Sequence, residues 1–156
     1  MKSFFFNSNI YIYQREARWK ITDINTTRNV LKVTKVRNNG LTIRLSNDKE
    51  IKAFNFKWKG VNKPTNILSF INNDNVFCFN NNNMIYLGDI IISYNTLIKE
   101  VKNKKIDLQD HLSHILIHGI LHLKGYTHNE EEDTRLMQNE EKRLLKNLNI
   151  KNPYKI

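Results

Sequence analysis

The chain has 156 residues, and its 25 Lys and Arg against 15 Asp and Glu give a formal net charge of +10. A 40% apolar content and a mean hydropathy of −0.57 suit one buried core but not two ample ones, so a single domain is expected. No apolar run reaches the length of a membrane span, and the lone Cys78 rules out an intrachain disulfide, which favours a reducing cytoplasm. Cys78 is expected to be a small buried hydrophobe. The opening MKSFFFNSNI is broken by Asn7 to Asn9 before it becomes a secretory core. The charge is uneven: residues 1–63 carry 14 Lys/Arg against 4 Asp/Glu, whereas residues 64–156 carry 11 of each. A field of that sign attracts polyanions.

In chain order, Ser8 to Tyr13 alternates and predicts a first strand, followed by a helix over 23–36 capped by Asp23 or Asn25. Asn38-Asn39-Gly40 marks a turn, and Leu41 to Leu45 alternates as a second strand. Ser46 or Asn47 caps a helix over 48–58, where Ile51, Phe54 and Trp58 recur at helical spacing, with Phe54 and Trp58 expected to face inward. Pro64 closes that stretch and residues 66–71 form a third strand. The Asn-rich run from Asn72 to Asn83 predicts an exposed loop. Residues 84–93 give a fourth strand interrupted at Gly88 and Asp89, and three helices follow over 94–104, 108–124 and 130–148. Strands among early helices and a helical second half indicate an α+β layering.

Residues 118–128, HGILHLKGYTH, hold three of the five histidines. On a helix His118 and His122 lie one turn apart on one face. Lys124-Gly125 reads as a helix stop, after which the chain can return His128 to the same ion. Three imidazoles leave a fourth zinc position for water, as catalytic zinc sites do. His111 and His114 share the helix face but do not adjoin that turn, and are expected to support or pack. Metalloproteases of the H-E-x-x-H type carry a glutamate base where this chain has Gly119, so peptide hydrolysis lacks its base. The acidic run Glu130 to Asp133 is expected to be the first turn of the last helix, complementing its dipole.

HGILHLKGYTH, preceded by DHLSHILIHG and with KPTNILSF and LGDIIIS upstream, resembles the bacterial YbeY-type rRNA maturation factors over roughly residues 41–145. The resemblance implies a zincin-like α+β fold, a short mixed sheet beside a metal-bearing helix. It also implies a zinc-dependent endoribonuclease preferring single strands, acting in the cytoplasm on ribosomal RNA (the 16S rRNA 3′ end) and ribosomal particles. By position it assigns one Zn2+ per chain to His118, His122 and His128. Lys59 stands where the family carries an arginine, which makes it the expected catalytic cation, with Lys63, Thr65 and Asn66 as substrate contacts. Lysine keeps the charge but loses the two-donor fork. Thr127 replaces a family aspartate beside His128. The basic segment would track the RNA backbone, with Tyr13, Phe56 and Trp58 as candidate stacking rings. The alternative is a zinc-stabilised RNA-binding assembly factor without turnover.

Overall fold

The computed structural model describes residues 1–72, 77–79 and 82–154, and the expected burial of the Cys78 side chain lies outside what is described. Its elements run β1 (Lys2–Asn7), β2 (Ile10–Gln14), α1 (Ile21–Val33), β3 (Asn39–Ser46), α2 (Asp48–Lys59) and β4 (Ile67–Ile71). They continue with β5 (Phe77–Phe79), β6 (Asn82–Ser93), α3 (Tyr94–Lys104), α4 (Leu108–Leu123) and α5 (Glu131–Asn147). The architecture is α+β, with a mixed sheet in the order β1-β2-β3-β6-β4 and β5 pairing with β6 off that path. β2, β3 and β6 are parallel, whereas β1 and β4 join antiparallel.

Several boundaries differ from the sequence expectations for identifiable reasons. β1 was hidden because Phe4-Phe5-Phe6 is uniform in letter yet alternates in space: Phe5 is exposed while Phe4 and Phe6 pack against the core. Asn7 makes the turn to β2, its Oδ1 accepting from the Asn9 and Ile10 amides at 2.8 and 3.0 Å. Asp23 does not cap α1 from outside. It sits in the first turn, where its carboxylate accepts from the Lys20 amide at 2.7 Å, so the helix starts at Ile21. Part of the Asn-rich run is ordered strand, since Phe77–Phe79 pairs antiparallel with Asn82–Met84. β6 continues through Gly88 as one strand, but its register against β3 shifts by one residue between Tyr86 and Gly88, so the expected interruption is a bulge rather than a break. A Cβ there would lie 2.0 Å from the Phe70 carbonyl oxygen, so glycine is what lets β4 approach.

The larger core lies between one sheet face and the helices α1 and α4, where Ile12, Ile43 and Ile90 meet Leu112, Leu116 and Ile120. The opposite face carries a small cluster of Ile51, Leu68 and Ile91, against which Phe54 and Phe70 pack. β4 alternates between the two, Leu68 facing α2 while Ile67 and Ser69 meet Gly119 of α4. A Cβ at Gly119 would stand 2.7 Å from Ile67 Cδ1, so this position of α4 is shaped for close packing rather than for a side chain. Trp58 departs from its expected inward orientation and is 62% exposed. α2 ends one residue later; Ile51 and Phe54 pack on the sheet, whereas Trp58 meets β4 at the edge of the Phe70 ring, centroids 6.5 Å apart, and keeps most of its surface in solvent.

Candidate metal centre

α4 begins with Asp107 accepting from the Asp110 amide at 3.0 Å and runs one histidine-bearing face alongside β4. It ends in a paired C-terminal turn. Tyr126 N–H donates to Leu121 O and Gly125 N–H to His122 O, both at 3.0 Å, with Gly125 at φ 101°. That is the hydrogen-bond pattern of a glycine-terminated helix with the following residue folded back. The half-buried Tyr126 packs on the core, and its carbonyl accepts from His122 Nδ1 at 3.0 Å. The turn that reverses the chain toward His128 therefore also orients His122.

His118 is held from the other side. Its Nδ1–H donates to Glu141 Oε1 at 2.5 Å, and Glu141, on α5, is completely buried. A carboxylate and a carbonyl can only accept, so the protons of His118 and His122 reside on Nδ1. In the neutral rings both Nε2 atoms then present lone pairs, and they face one another across 3.0 Å. Two acceptors at that separation repel unless a cation lies between them. Two ligands of one tetrahedral zinc would stand about 3.3 Å apart, given bonds of about 2.0–2.1 Å. His128, exposed, completes a trio whose ligand atoms all lie within 4.8 Å of one another. The donor set fits a metal ion. Burial, reinforced by the neighbouring His118, lowers the basicity of His122 and favours the neutral form that a metal ligand needs.

The trio lines a cavity of about 540 Å³ that also receives Lys59, Asn66, His111 and His114. Lys59 ends α2, which Gly60 stops in the left-handed conformation (φ 70°). Asn55 Nδ2–H tethers the ensuing loop through the Lys63 carbonyl at 2.8 Å, so the buried amide sets the path from Lys59 to β4. Lys63 and Thr65 are not among the residues lining this cavity. Asn66 is, and its amide donates to Glu100 at 3.1 Å. His111 is buried and pairs with Glu100 at 3.2 Å. Burial depresses its pKa against the raising influence of that carboxylate. Of the candidate rings, Phe56 and Trp58 are exposed, whereas Tyr13 is half-buried and stacked on Tyr11. Thr127 is exposed beside His128, and Glu131 to Asp133 occupy the first turn of α5, apart from the histidine trio.

Two site residues escaped the sequence reading. Glu141 was signalled by its position, a carboxylate in register with Met137, Leu144 and Leu145 on the buried face of α5. Tyr154 gave no such signal, because it lies in the segment after α5 and reaches the site only through the fold. Its hydroxyl donates to Glu141 Oε2 and lies 3.2 Å from His114 Nε2. Burial alone would raise the Glu141 carboxyl, but the donor groups of His114, His118 and Tyr154 turned toward it bring it down to about 2.

A mixed sheet with a helix-borne histidine pair and a third histidine in one cavity defines a small α+β protein with a donor set that could hold a metal ion. Comparison with known proteins gives the family. The family model for endoribonuclease YbeY matches residues 8–149, and the chain belongs to that family. Endoribonuclease YbeY of Ehrlichia chaffeensis is 40% identical over 115 residues, covering 73% of this chain and 70% of the relative. The Bartonella henselae protein of the same name is 40% identical over 114 residues, 73% of this chain and 71% of its own. The solution structure of TM1509 from Thermotoga maritima shares the fold, with a TM-score of 0.58 at 21% identity over 94% of this chain and 99% of that one.

Proposed function

We propose that the chain is a zinc-dependent endoribonuclease that cleaves single-stranded RNA during ribosomal RNA maturation, at the 16S rRNA 3′ end, in the cytoplasm and on ribosomal particles. The observation that carries this reading is the approach of the His118 and His122 Nε2 atoms to 3.0 Å, with His128 beside them, in the cavity that Lys59 also lines. The family, whose members are named endoribonucleases, supplies the reaction class. We take the chain as one domain and its fold as zincin-like, with α4 as the metal-bearing helix. None of the described helices is long and apolar enough to cross a membrane.

His118, His122 and His128 would hold one zinc per chain. An ion in such a site supplies a Lewis acid and a water of lowered pKa. The protein's own groups do the rest. Glu141 and the Tyr126 carbonyl keep two imidazoles aimed inward, and the Lys59 ammonium offsets charge developing on the phosphate. Asn66 has the best support as a contact to the scissile nucleotide because it lines the same cavity, leaving Lys63 and Thr65 to flanking phosphates. The exposed Trp58 and Phe56 near Lys59 offer faces for unpaired bases. Gly119 supplies no protease-type glutamate, and a Cβ there would press on the Ile67 and Ser69 side chains.

The test is cleavage of an unstructured RNA by the protein as purified, after chelation and after zinc is returned. Activity should vanish and recover. RNA binding without cleavage in the zinc-loaded protein would instead establish the non-catalytic assembly role.

A further inference from the structure

Glu141 is a fully buried carboxylate with no Lys or Arg partner among the described residues. Burying such a charge is costly unless its oxygens are satisfied. Here one oxygen accepts from His118 Nδ1–H, and the other accepts from the Tyr154 hydroxyl. The single Tyr154 proton is committed to Glu141, so the phenol oxygen must accept from His114 Nε2–H at 3.2 Å. His114 also stands 3.5 Å from Glu141 Oε2 and packs edge-on to the Tyr154 ring at 5.4 Å. Four side chains from α4, α5 and the following segment thus form one network; His114, His118 and Tyr154 all line the cavity, and of these His118 belongs to the histidine trio. Tyr154 lies beyond residue 149, where the family match ends.

Resting on the metal reading above, we propose that Glu141, locked by Tyr154 and His114, is a positioning residue for the metal site. It fixes the His118 tautomer with the proton on Nδ1 and raises the donor strength of Nε2. A carboxylate behind a ligating histidine acts this way, and its loss commonly weakens metal binding about 10–100-fold. The segment after α5 thereby becomes part of the site: when Tyr154 leaves, Glu141 loses the partner that holds its second oxygen.

Two readouts on the full chain test this, and one needs no metal. Nitrogen NMR of the zinc-free protein should find His118 protonated on Nδ1. Zinc affinity, read by competition with a chromogenic chelator, should fall about 10–100-fold in Glu141→Gln and about 3- to 10-fold in Tyr154→Phe. Glu100→Gln, which disturbs the separate His111 pair, should leave zinc affinity unchanged. The proposal is overturned if His118 carries its proton on Nε2, or if Tyr154→Phe binds zinc within twofold of the parent. Should Glu141→Gln not fold, the Tyr154→Phe and tautomer results decide. A parent chain that binds no zinc counts against the metal reading, while the tautomer still tests Glu141.

Discussion

The two halves of the cavity are built on opposite plans. On the α4 side, His118 and His122 each have a fixed hydrogen-bond partner, Glu141 and the Tyr126 carbonyl, and a paired helix end sets the route to His128. On the α2 side, Lys59 is exposed at a helix terminus and makes no ion pair among the described residues. The charge follows the same division, with the positive excess confined to residues 1–63 and the histidine half balanced. On the proposed function, the difference reflects what each chemistry needs. Metal ligands must converge on one point, so their rotamers are locked by neighbours. A cation that meets a phosphate works as a mobile point charge and can be held loosely.

The sharpest way to break this comparison is to remove convergence. The His122→Ala, His128→Ala double variant should lose stoichiometric zinc, whereas His111→Ala should retain most of it; metal analysis of the purified proteins decides. Next comes Lys59→Ala, expected to cut RNA turnover roughly 10²-fold with zinc content and fold intact. Lys59→Arg should retain or raise activity because its fork can take two phosphate oxygens, and Lys57→Ala should matter little. A wild-type rate in Lys59→Ala would reduce this residue to a surface charge.

A smaller, graded effect is expected from the basic half as a whole. RNA affinity should fall steeply with salt, and reversing charges within residues 1–63 should weaken binding more than equal reversals after residue 98. Titrations at two salt concentrations check this. Affinity indifferent to salt would remove the electrostatic half of the comparison.

The smallest effect concerns pH. Burial holds the folded-state pKa of His111 below its ordinary 6.5, against the pull of Glu100. The unfolded chain therefore takes up this proton at a higher pH than the folded one, so the neutral His111 contributes stability above pH 6.5 that is lost as pH falls below it. Stability measured by denaturant between pH 7 and 5 should decline less steeply in His111→Gln than in the parent. Equal slopes would show that its burial has no energetic consequence.

The histidine face was legible in the sequence because helical spacing and a glycine stop are local signals, and the structure brings those three rings together. The small cluster beneath α2 was half legible. Ile51 and Phe54 reach the sheet as their spacing implies, but Trp58, one turn further on, touches Phe70 of β4 edge-on and stays largely exposed. β1 was illegible because three phenylalanines in a row show no alternation. The Glu141–Tyr154 contact was illegible for another reason: it joins two segments whose meeting depends on how α5 packs on α4.

Crystals of the zinc-loaded protein, measured on both sides of the zinc absorption edge, test the central claim most directly. The anomalous map should show one peak per chain about 2.0–2.1 Å from a ring nitrogen of each of His118, His122 and His128, with Nε2 as the ligand atom of the first two. No peak at the trio, or one at the acidic turn from Glu130 to Asp133 instead, would contradict it.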